Sequence, residues 1–263
     1  MLDLSHVVTT GPVAHRDGER GAPSAKAVAA LNAASRGEPH QAAVLLADVE
    51  RAAHGPGHAL DRAVVHVARA TLLAMDGEGP RAASELTLAM QATTGAAGDI
   101  QLLVELVRGL GDVMVVTGAR RQLASSSGIA RPADAVVVDA RSHELRIPSD
   151  VRSLQRRPIV RRLLYALARH PARVLDKEAL VEAVWGRAYD PLRHDDALKS
   201  NVHHLRRLLA GSGVAIACGD PGYRLDPVER FLFVAPFDLL GSVSPGFTGA
   251  CWSVGGAADT KAT

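Results

Sequence analysis

Asp196-Ala-Leu-Lys-Ser-Asn-Val-His-His-Leu-Arg-Arg-Leu-Leu209 decides the reading of this 263-residue chain. Leu198, Val202, Leu205 and Leu209 recur every three or four residues, which places them on one stripe of a helix. The other face carries Lys199, Ser200, Asn201, His203, His204, Arg206 and Arg207, with no carboxylate between Lys199 and Leu209. Such a face of cations and hydrogen-bond donors suits a polyanion, because a carboxylate there would repel phosphate oxygens. Ordinary solvated helix faces are also charged, so the flanking sequence has to decide.

Upstream, Leu163, Leu164 and Leu167 mark a short helix that Pro171 ends. Asp176 stands at the N-cap of a second helix, which buries Leu180, Val181, Val184 and Trp185 and which Gly186 closes. Downstream, Val214-Ala-Ile-Ala-Cys218 and Tyr223-Arg-Leu225 read as strands joined by the turn Gly219-Asp-Pro-Gly222. Two helices, a loop, a basic third helix and a hairpin make a winged helix-turn-helix.

The order of these motifs resembles the DNA-binding output domain of OmpR/PhoB-type transcriptional regulators. His170-Pro171, Arg173-Val174, Asp176, Val184-Trp185-Gly186, Leu205-Arg206-Arg207 and Gly222-Tyr223-Arg224 follow one another near that family's spacing, over roughly residues 133 to 226. The resemblance implies a third helix that enters a major groove. Asn201 and His204, three apart, are then the candidates for base edges, with the short Ser200 beside them. Lys199, His203, Arg206 and Arg207 are candidates for phosphate, as are Arg193 and His194 just before the segment. Arg224 matches the family's closing arginine, for which a structural role and a DNA contact both stay open. The chain departs from the pattern twice. His203-His204 replaces a mid-helix Arg-Arg pair, and the wing tip offers Asp220 where relatives often carry arginine. Both changes reduce cationic attraction, so DNA binding that is weak, pH-sensitive or dependent on a homodimer is consistent with them.

Charge placement agrees with the nomination. The formal net charge is +2, yet residues 131–226 hold 17 Lys and Arg against 12 Asp and Glu, a local excess of +5. An apolar fraction of 47% excludes wholesale disorder, and 3% aromatic residues with abundant alanine point to helices packed through small side chains. Cys218 and Cys251 form no disulfide framework and read as reduced. The N-terminus has no apolar signal core, and the run Phe231 to Leu240 is too short for a bilayer and contains Pro236 and Asp238. A cytoplasmic protein with no membrane span is the expectation.

Helical spacing fills Ala25 to Ser35, Gln41 to Ala53, Ala59 to Met75, Arg81 to Ala92 and Ile100 to Leu110, with Gly and Pro breaks between. Arg36-Gly-Glu-Pro-His-Gln-Ala-Ala43 aligns with Asp76-Gly-Glu-Gly-Pro-Arg-Ala-Ala83 at an offset of 40 residues. That pattern is similar to tetratricopeptide-like helix hairpins, with a plain helical bundle as the alternative. Phospho-receiver domains alternate strands and helices, which this stretch does not. A protein or small-molecule signal is therefore expected at the helices.

The expected organisation is a flexible leader (1–23), a helical, repeat-like module (24–117) and a linker (118–132). A winged-helix domain (133–227) and a poorly ordered tail (228–263) follow. The winged-helix domain should begin with short strands at 135–139, 143–147 and 151–154. The fold class is mainly α with a small α+β domain: an N-terminal helical module followed by a C-terminal winged helix-turn-helix. The function expected is a DNA-binding transcriptional regulator acting on duplex DNA. The alternative is a non-DNA-binding adaptor in which both halves bind proteins. No phosphate-binding loop, zinc motif or dinucleotide fingerprint is present, and His194, Asp195, His203 and His204 match no compact ligand spacing. No catalytic residue, cofactor or metal site is expected, and the protein is not read as an enzyme.

Overall fold

The computed structural model describes residues 23–53, 58–93, 97–118, 120–129, 132–237 and 239. The expected leader up to residue 22, and the tail beyond Leu239 with Cys251, lie outside the described residues. The chain divides into two compact units: residues 1–115, 120–130 and 236–244, and residues 116–119, 131–235 and 245–263.

The first unit is built from α1 (Ala25–Ser35), α2 (Pro39–Ala52), α3 (Ala59–Asp76), α4 (Gly79–Ala92) and α5 (Ala97–Gly109). Ser24 caps α1 by accepting from the Ala27 N–H, and Pro39 and Pro80 occupy first turns, where a missing N–H costs nothing. The sequence likeness at offset 40 is a likeness of structure. Gly37 (φ 67°) donates to Ala34 O and Gly77 (φ 87°) to Ala74 O, while the Glu38 and Glu78 N–H groups reach Ala33 O and Leu73 O. The next helix then starts in the same way, with Ala42 and Ala82 donating to Glu38 O and Glu78 O. The buried pairs Ala30/Ala70, Ala34/Ala74, Ala42/Ala82 and Leu46/Leu86 recur at that offset, so two hairpins pack through small side chains in the same register.

Two strands follow, β1 (Val113–Thr117) and β2 (Arg120–Ala124), then a short 3₁₀ turn (Ser126–Gly128). The expected linker therefore needs correction, since most of its first half is an ordered strand. The reason is local bonding. Arg120 donates to Arg36 O (3.4 Å) and Arg121 to Asp76 (2.5 Å), so β2 is tied to both repeated turns. Gly37 permits this, because a Cβ there would lie 1.5 Å from Arg121 O.

In the second unit β3 (Val136–Asp139), β4 (Glu144–Ile147) and β5 (Asp150–Ser153) form an antiparallel meander with Val138 opposite Leu145 and Leu145 opposite Arg152. These are the three expected strands. There follow α6 (Pro158–Arg169), β6 (Leu175–Asp176), α7 (Lys177–Trp185), α8 (Pro191–Leu209), β7 (Ala215–Gly219), β8 (Gly222–Asp226) and β9 (Phe231–Pro236). The last strand corrects the expected tail. Phe231, Phe233 and Val234 are buried because β9 returns to lie parallel to β3, Val136 pairing with Phe231 and Asp139 with Val234.

The winged-helix core is the one the apolar spacing implies, except that Trp185 is only half-buried. Leu163, Leu164 and Leu167 of α6 pack with Leu180, Val181 and Val184 of α7, Leu198, Val202, Leu205 and Leu209 of α8, and Ile216 and Leu225 of the hairpin, all at most 5% exposed. Each buried leucine contributes about 1.5–3 kcal/mol relative to exposure. Behind α6 the buried Tyr165 hydroxyl sits 3.1 Å from His143 Nδ1, and burial raises its pKa while burial and then Arg161 lower that of His143. No helix among the described residues is long and apolar enough to cross a membrane.

Candidate nucleic-acid interface

Asp176 accepts from the Ala179 N–H at 2.7 Å and starts α7, and Gly186 ends it in the left-handed region (φ 64°). The third helix begins earlier than the amphipathic segment alone indicates. Asp190 accepts from the Leu192 N–H at 3.1 Å and Pro191 takes the first position, so α8 gains a full turn before Asp196.

The loop between α7 and α8 is held by polar bonds. Lys177 Nζ donates to both oxygens of Asp195 at 3.0 Å, and the Tyr189 hydroxyl donates to the same carboxylate at 2.5 Å. The Tyr189 bond first, and then Lys177, holds the Asp195 carboxyl below its ordinary pKa, while Asp195 raises that of Lys177. His194 packs between Trp185 and Tyr189, at centroid distances of 5.8 and 6.2 Å, and its Nδ1 accepts from the Asp190 N–H. It is a loop-fixing residue, which accounts for its place in the sequence without a backbone contact.

In the wing, β8 pairs with β7 and also with β6, Leu175 lying opposite Tyr223. A Cβ on Gly222 would sit 1.8 Å from Leu175 O, which explains why the motif Gly222-Tyr223-Arg224 opens with glycine. Tyr223 is buried against this crossing, and Cys218 is an exposed free thiol.

The nominated cations differ in how far they are already engaged. Arg206 donates through Nε and Nη2 to Ile216 O of β7, at 3.1 and 2.9 Å. Arg224 pairs with Asp226 at 2.7 Å, Arg193 with Asp190 at 3.4 Å, and Lys199 with Asp196 at 3.8 Å. Arg207 is exposed and makes no side-chain hydrogen bond or ion pair among the described residues. Ser200, His203 and His204 are exposed, the two imidazoles 6.0 Å apart, whereas Asn201 is half-buried and its Nδ2 donates to Ala197 O at 2.7 Å.

Asn201, His204 and Arg207 also form one wall of a cleft of about 850 Å³, with β5 and the first turn of α6 on the other side. The sequence reading missed this neighbour. Its signal was a helix start, Arg156-Arg157-Pro158, with no carboxylate in the first turn and no capping oxygen at Arg157.

A helix, a fixed turn, a polar recognition helix and a two-stranded wing define a winged helix-turn-helix protein. Residues 152–225 match the family described as transcriptional regulatory protein, C terminal, and over that segment the chain carries an OmpR/PhoB-type DNA-binding domain. The match supports a DNA-binding, transcription-regulating role for that segment. No curated protein and no solved structure matches the chain.

Proposed function

We propose that α8 enters the major groove of duplex DNA, with the wing beside it, and that the input reaches helices α1 to α5 as a protein or small molecule rather than as a phosphoryl group. The observation that carries the first part is the exposed face of α8. Arg193, Ser200, His203, His204 and Arg207 stand on it at helical spacing, opposite a fully apolar stripe. In this reading Ser200 and His204 serve base edges, and Arg207, Lys199 and Arg193 serve phosphates. Asn201, bonded through Nδ2 to Ala197 O, keeps its Oδ1 and a second N–H for a base edge. Arg206 acts mainly by holding the wing to the helix. The second part is supported by helix following helix through the described residues of the first unit before β1, where a receiver would alternate strand and helix. A homodimer on two half-sites about one helical turn apart fits the short contact length of a single α8.

The test is fluorescence anisotropy of the full chain on random duplex DNA over a salt series. Log affinity should fall linearly with log salt, and Arg207→Ala should lose both affinity and slope. Absence of binding at low salt, at pH 6 and pH 7.5 alike, would sink the reading. The result would then favour a protein-binding adaptor, for which the internal pairing of Arg206 and Arg224 is the supporting observation.

A further inference from the structure

We infer that the cleft between α6 and α8 receives a phosphodiester strand of the bound duplex, on the side of α8 away from the wing, with Arg157 as a phosphate contact. The inference rests on the DNA-binding reading above and adds a second element to it. A major groove is about 12 Å wide and a helix with its side chains about 10–12 Å across, so a helix seated there meets a backbone on each flank. On one flank stands the wing. On the other is the cleft, where Arg157 at the start of α6 faces the wall formed by His204 and Arg207.

Three properties suit this cleft to phosphate. No carboxylate lines it. Arg157 and Arg207 are both exposed, and neither side chain has a hydrogen bond or ion pair among the described residues, so a phosphate contact breaks no internal bond. The remaining arginine, Arg152, is committed to structure: its guanidinium donates to Leu208 O, Ala210 O (2.9 Å) and Asp150 (2.8 Å). It thereby ties the C-terminal end of α8 to β5 at one end of the cleft. The α6 wall and the α8 wall thus carry one open cation each, Arg157 and Arg207.

The experiment is the salt-series titration of the full chain with Arg157→Ala, Arg157→Lys and Arg207→Ala beside the wild type. Arg157→Ala should weaken binding about five- to tenfold and reduce the slope of log affinity against log salt by about 0.9, equally on unrelated sequences. Arg157→Lys should restore the slope, and the melting temperature should be unchanged in both. If Arg157→Ala binds as the wild type does while Arg207→Ala loses affinity and slope, α8 binds DNA and the cleft takes no part. Loss of affinity with an unchanged slope, or without rescue by lysine, assigns Arg157 a structural role and also overturns the inference. If the wild type fails to bind duplex DNA, the proposed function itself falls, and this inference with it.

Discussion

The two flanks of α8 carry similar side chains and use them differently. Toward the wing, Arg206 of α8 is bonded to Ile216 O of β7 and Arg224 is paired with Asp226 on its own strand, so the cations there are already engaged. Toward α6, Arg207 and Arg157 have no internal partner among the described residues. Counting basic residues treats the flanks alike, whereas their partners separate them. A guanidinium that already donates to a carbonyl or carboxylate gains less from a phosphate than an open one, because it must exchange one bond for another.

Variants can break or sharpen that contrast. The largest effect is expected of Gly222→Ala, which forces β8 away from Leu175 and should cost on the order of 3 kcal/mol, read as a lower urea midpoint. An unchanged midpoint would mean that the wing does not cross β6 as described. Arg207→Ala should lower DNA affinity about tenfold, equivalent to about 1.4 kcal/mol, with no loss of stability. Arg206→Ala should do the reverse, costing about 1 kcal/mol of stability through its two lost bonds while altering the salt slope less than Arg207→Ala does. Equal slopes for the two variants would remove the distinction between the flanks. Asp226→Asn releases Arg224 and withdraws a negative charge from the wing, so affinity should rise about threefold with a steeper salt dependence.

The smallest effect concerns the loop. Asp195 has a folded pKa below its ordinary value, so the stability it contributes is present above the ordinary carboxylate pKa of about 4 and is lost as pH falls through the folded value. Asp195→Asn should flatten acid unfolding below about pH 4 and leave neutral DNA affinity unchanged. An acid limb as steep as that of the wild type would show that the Lys177–Asp195–Tyr189 bonds do not form in solution.

Much of the winged helix was legible because its signals are local. Asp176, Gly186 and the Leu198/Val202/Leu205/Leu209 stripe each mark a cap, a stop or a buried face within a few residues of themselves. The turns at Gly37 and Gly77 were legible for the same reason. The early start of α8 was written in Asp190-Pro191 but was outweighed by the polar run that follows. What stayed hidden depends on distant partners. The run at Phe231 has no strand signal that names Val136 as its neighbour some 95 residues upstream, so it read as tail. Arg206 looked like a phosphate contact because its acceptor is a backbone carbonyl, which every residue supplies and no sequence pattern distinguishes. Arg157 was overlooked because its cleft exists only after α6 and α8 have packed.

The two bonds from Arg206 to Ile216 O also bear on the kinetics of encounter. A wing that swings freely has to be immobilised each time DNA is met, and each ordered segment subtracts from the free energy of association. In the proposed DNA-binding mode, α8 and the hairpin are joined before contact and meet the duplex as one body. The rate of productive collision is then governed by orienting a single body against the duplex, and the difference between a right and a wrong site falls on dissociation.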